Sequence, residues 1–204
     1  MRVPSAAHGF PSSGVVDGEW QLTDGGTEPY DLMTGAGVLG ARVWVEQEMH
    51  RIAGSWSTSA ARPVLAVAFD RVAMHHAARA EVLFDRLPQL RELPSDSVVV
   101  PGGPATVGLI DAVKGTVGDG TDDRRAAVWL AIADGLLVAY RDHLRRASVV
   151  ADASLLRRLP SLIAGLELDV ADLTAAVGSV PDMAGPEAEP AISDLVDLTS
   201  GFME

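Results

Sequence analysis

Two adjacent histidines, His75 and His76, lie in the stretch Val72-Ala-Met-His-His-Ala-Ala-Arg79, whose apolar residues recur at helical spacing. Ala68, His75 and Val82 fall on one line, and Phe69, His76 and Leu83 on the next. A 3.6-residue period therefore lays both imidazoles on neighbouring strips of one inward face. Imidazole titrates near neutrality, which suits an inward pair to proton transfer or to metal ligation. An unpartnered polar group in an apolar core is costly, so each ring must be paired, liganded or used chemically. The same periodicity offers Glu46 and Glu48, Tyr140 and His143, and Glu167 and Asp169 as further inward candidates. Arg79 shares a line with Leu65 and Val72 and could hold an inward acid or an anionic substrate. The catalytic candidates are thus His75, His76, Asp169 and Tyr140, with Arg79, His143 and Trp129 around a substrate. The plain alternative stays open: hydrogen-bonded core histidines, a packing tyrosine and carboxylates that face water.

Four long helices must position these groups. Helix one is expected at about 35–54, on the line Val38, Val45 and Ile52. Ser57, Thr58 and Ser59 supply a cap region for helix two, with Pro63 in its first turn and an end at about 87. Pro88 and Pro94 then stop it. The connection 88–121 holds Pro101-Gly-Gly-Pro104 and a short helix at about 104–114. Thr121, followed by Asp122 and Asp123, caps helix three, which runs to about 147. Helix four spans about 152–177 on Leu159, Leu166 and Leu173, with a kink or break expected at Pro160. The short loops pair helices one with two and three with four. The connection between the pairs is long enough to travel their length, and helix three is expected to start where helix one starts.

Residues 1–34 read as an irregular N-terminal arm docked through Phe10, Trp20 and Tyr30, and 35–179 as the helical domain. Residues 180–204 read as an acidic C-terminal tail, with Ile192, Leu195, Val196 and Leu198 able to form a docking helix. The net charge of −12 is concentrated at these two ends, and no basic face offers itself to a phosphate backbone, so nucleic acid is not an expected partner. The chain has no cysteine, which excludes disulfides, thiolate nucleophiles and iron–sulfur clusters. No apolar run approaches the ~18 residues that span a bilayer. The first residues lack the apolar stretch of a signal peptide, so a cytoplasmic protein without a membrane partner is expected. Gly115-x-x-Gly118-x-Gly120 has no strand before it and is not a dinucleotide fingerprint.

In chain order and helix layout, residues 35–178 resemble the ferritin-like superfamily: all-α, a four-helix bundle with a long crossover between helices two and three. The run from His75 to Pro88 is similar to a histidine-rich helix in bacterial members of that superfamily. The resemblance implies an iron or manganese pair and oxygen chemistry, held by a Glu on each of two helices and a Glu-x-x-His on each of the others. Carried over, Glu46 stands for the helix-one Glu, His76 for the helix-two His, Asp134 for the helix-three carboxylate and Glu167 for the helix-four Glu. Ala73 stands where the Glu before His76 belongs (Val72 for His75), and Val170 where the second His belongs.

Three functions follow as expectations. The first is a small-molecule enzyme of specialised metabolism, performing cofactor-free acid–base chemistry of the cyclisation or isomerisation type with core histidines. The second is a non-haem iron or manganese oxidoreductase using Glu46, His76, His143 and Glu167. The third is a non-catalytic helical module that binds a ligand or partner. A small-molecule substrate and a second copy of the chain are the partners these expectations name.

Overall fold

The computed structural model describes residues 29–89, 91–119, 121–148 and 152–178. Phe10, Trp20 and the proposed docking helix of the tail lie outside them. Six helices and no strand make up the described residues: α1 (Leu32–Ser59), α2 (Pro63–Phe84), α3 (Ser95–Val98), α4 (Pro104–Asp119), α5 (Asp122–Arg146) and α6 (Ala153–Gly178). The protein is all-α. No described helix is long and apolar enough to cross a membrane.

The long helices begin and end for local reasons. Asp31 caps α1 by accepting the Thr34 backbone N–H at 2.8 Å, three residues ahead of the expected start. At the other end, the expected cap of helix two belongs instead to the last turn of α1. There the hydroxyls of Ser57 and Thr58 donate to the carbonyls of Gly54 and Ser55, so the helix continues through them. Helix two then starts at Pro63 without a side-chain cap, which costs little because proline brings no orphan N–H. Thr121 does cap α5, accepting from the Arg124 N–H at 3.3 Å. Proline 160 neither breaks nor ends α6, which runs through it with the ring exposed.

Helix α2 packs along α1, and α6 packs on both α5 and α2. Charged pairs give the directions. The Arg62 backbone N–H, between α1 and α2, donates to Asp122 at 2.9 Å, and its side chain reaches Asp123 at 2.5 Å. At the opposite end the Tyr30 N–H meets the Arg146 carbonyl at 3.4 Å. Helix α5 therefore starts where α1 ends, the reverse of the expected placement. The reason is simple: α2 returns the chain to the start of α1, and a connection that travels the full length must deliver it to the far end.

Much of that connection is structured. Helix α4 covers α1, and α3 rests on α1 at Gly40, where a Cβ would overlap the backbone carbonyl of Val98. A substitution there must push α3 away, because the obstacle is backbone and cannot swing aside. Gly40→Ala is expected to lower stability by about 1–3 kcal/mol. Chemical denaturation with an unchanged midpoint would contradict this close approach.

The core fills the space between α1, α2, α5 and α6. Trp56, Phe69, Met49, Leu136, Leu159, Leu166 and Leu173 are fully buried in it, with Trp56 and Phe69 in an edge-to-face contact at 5.6 Å.

Candidate functional site

One buried polar cluster crosses this core. Glu46 of α1, His76 and Arg79 of α2, Trp129 and Tyr140 of α5, and Asp169 of α6 are all buried, although five of the six carry polar or charged heads. Each is placed by the inward stripe of its own helix, one turn from an aliphatic neighbour.

Glu46 is the hub. Its Oε2 accepts the His76 Nδ1–H at 2.6 Å and the Arg79 Nε–H at 3.2 Å, and its Oε1 accepts the Tyr140 hydroxyl. Burial by itself would raise this carboxyl, but His76 and Arg79 outweigh burial and hold it below the usual carboxylate range. Tyr140 moves the opposite way: burial and the adjacent Glu46 charge push its hydroxyl well above its ordinary value, so it stays protonated as a donor.

His76 has no free nitrogen. The Trp129 indole N–H, which can only donate, points at His76 Nε2 at 2.9 Å. That nitrogen must be the acceptor, so the proton sits on Nδ1, where Glu46 accepts it at 2.6 Å and the donor-only Arg79 Nη2, 3.2 Å away, faces it without bonding. Adding a second proton would set it against the indole N–H in the core. Burial likewise lowers the affinity of His76 for a proton.

Arg79 links the two inward carboxylates. It donates from Nε to Glu46 and from Nη1 to Asp169 at 2.7 Å. Burial opposes its charge, but Glu46 and Asp169 more than compensate and raise its affinity for the proton. The other Asp169 oxygen accepts the His75 Nδ1–H at 2.6 Å. The His75 side chain is 49% exposed while Asp169 is 2% exposed, so the chain of bonds runs from the surface to the middle of the fold. His75 Nε2 has no described partner.

The remaining predicted residues lie elsewhere. His143, also buried, accepts an Arg42 guanidinium hydrogen at Nδ1, and Arg42 donates again to the Ala139 carbonyl at 2.8 Å. Guanidinium only donates, so His143 is neutral with its proton on Nε2, the opposite tautomer to His76. Burial, with Arg42 and Arg146 beside it, pushes its pKa down to about 2. Tyr30 closes this second cluster, its ring edge-to-face with His143 at 5.5 Å between centroids and the Arg146 guanidinium 4.1 Å over its face. Neither His143 nor its partners hydrogen-bond to the Glu46 hub.

Glu167 is exposed and pairs with Arg141 at 2.6 Å, and Asp134 is exposed as well. Glu48 is inward only toward α4, where Lys114 reaches it at 2.8 Å and Arg51 joins it. Glu46, His76, His143 and Glu167 therefore do not converge. Among the described residues no three His, Asp or Glu side chains are grouped to hold a metal ion. The centre of the cluster is already filled by the Arg79 cation, and the lone pairs of Glu46 and His76 are spent on donors. This donor set does not fit an iron or manganese pair.

Two residues escaped the periodic reading. Arg42 is buried by length rather than by hydropathy. His50 sits half-buried, with its Nδ1–H given to the Ala73 carbonyl at 2.9 Å. The alanines opposite it, Ala73, Ala77 and Ala80, were the available signal, since small residues leave room at a helix pair. Comparison with protein-family models, curated proteins and solved structures returns no match.

Proposed function

We propose that this chain is a non-catalytic helical module that acts by binding, built as a ferritin-like four-helix bundle with an arginine-centred network in place of metal ligands. One observation carries this reading: both His76 nitrogens and both Glu46 oxygens are consumed by partners within the protein. A core acid–base catalyst needs a nitrogen that can reach a substrate and change its protonation state. Two hairpins joined by a connection that travels their length support the ferritin-like layout.

The test is a pH titration of the histidine rings by NMR. His76 is expected to hold a single Nδ1–H tautomer from pH 5 to 8. A His76 ring that titrates within that window would return catalysis to the core and end the non-catalytic reading.

A second reading rests on the seam between α2 and α6. His75 has its Nδ1–H on a buried carboxylate that Arg79 holds in place, and its Nε2 has no described partner. An aspartate so placed orients an imidazole and stabilises the imidazolium formed when it takes a proton. Inside the network two carboxylates face one guanidinium, so a proton gained at His75 would balance the charge. This is the cofactor-free acid–base enzyme of specialised metabolism, moved from the core to its rim. Turnover of a proton-abstraction substrate that disappears in His75→Ala and Asp169→Asn would favour it.

A further inference from the structure

A groove of about 340 Å³ runs along the outside of the α1–α2 pair, lined by Gln47 and His50 of α1 and by Ala77, Ala80, Glu81 and Phe84 of α2. It exists because α2 presents alanine there, where a larger side chain would fill the space. Its volume falls in the lower part of the range of small-molecule sites. We infer that this groove binds a small organic ammonium ion, a short alkylamine being the simplest member of the class. The inference deepens the reading of the chain as a binding module.

Every polar feature of the lining suits a cation. The His50 Nδ1–H is committed to the Ala73 carbonyl, which leaves only Nε2 for a guest. Glu81 is exposed at the rim and supplies a carboxylate, and Gln47 an amide oxygen. The Phe84 ring offers either an apolar wall or a π-face, which attracts ammonium groups. No arginine or lysine lines the groove. The alkyl part would lie on the methyl groups of Ala77 and Ala80. A second open depression among the described residues, about 490 Å³ beside Glu48, Arg51 and Lys114, has its charges already paired with one another and makes no such case.

The experiment titrates the full chain at pH 8 with n-butylammonium, following the Ala77 methyl and His50 ring signals by NMR. 1-Butanol and butyrate serve as neutral and anionic controls. Saturable shifts are expected with a dissociation constant on the order of 1 mM, with no saturation by either control. Glu81→Gln, at an exposed position, is expected to weaken binding roughly fivefold, about the effect of losing one exposed charge partner. Ala77→Leu, shown to be folded by circular dichroism, is expected to abolish it by filling the groove. Equal binding of butanol or butyrate overturns the inference, as does undiminished binding to folded Ala77→Leu, which would mean diffuse attraction to an acidic surface. The His76 titration is independent of this result, so either reading can fail while the other stands.

Discussion

Lowering the pH from 7 to 5 is expected to remove about 2 kcal/mol of folding stability through His143 alone, with His76 adding to the loss. In the unfolded chain both imidazoles titrate near their ordinary value of about 6.5. In the folded protein His143 is pushed down to about 2, and His76 is lowered by burial. Between those limits the unfolded state binds the extra proton and the folded state does not. The stability is therefore complete above about pH 6.5 and drains away as the pH falls below it. The tautomers give the same answer: a proton on His143 Nδ1 would face the Arg42 guanidinium, and one on His76 Nε2 would face the Trp129 indole N–H. Denaturant titrations at the two pH values measure the loss directly. A His143→Gln variant keeps an acceptor for Arg42 and is expected to lose the His143 share of the pH dependence. Equal stability at pH 7 and pH 5 would show that both rings take up a proton in the native state as readily as in the unfolded chain.

Arg79→Met is expected to cost about 3–5 kcal/mol, the usual penalty for breaking a buried ion pair from one side. The methionine fills similar space, so the loss reports charge more than volume. Glu46 and Asp169 would be left facing the core without their cation, and burial would then favour their neutral forms. Arg79→Met combined with Asp169→Asn is expected to recover part of the loss, because an amide can stay buried uncharged. Urea denaturation of the single and double variants decides the matter. A single variant that loses less than about 1 kcal/mol, the scale of a surface pair, would show that the network is open to water.

Much of the helix layout was readable from spacing alone. The lines Val38, Val45, Ile52 and Leu159, Leu166, Leu173 mark helices that the structure contains, and Thr121 caps the helix it was expected to cap. The boundary between α1 and α2 was misread because serine and threonine hydroxyls serve equally as caps and as back-bonded residues inside a last turn. The choice between neighbouring acids was not readable either. Glu46 and Glu48 flank one stripe, as do Glu167 and Asp169, and a single helix gives no reason to turn one inward. The other helices decide. Arg79 selects Glu46 and Asp169, α4 brings Lys114 to Glu48, and α5 draws Glu167 outward through Arg141. For the adjacent histidines, a separation of about 100° around the helix allows only one to face the centre. His76 takes that place and leaves His75 on the edge.

The hydrogen bonds through Glu46 and Arg79 also settle how the rods line up lengthwise. An interior of alanine, valine and leucine could accept several axial alignments at similar cost, since one aliphatic group substitutes tolerably for the next. Sliding α6 by a single residue would replace Asp169 with Leu168 or Val170 and strand the Arg79 charge in hydrocarbon. The polar contacts thus act as a set of keys along an otherwise smooth shaft, and the alignment they admit is the one in which Arg79 meets both Glu46 and Asp169.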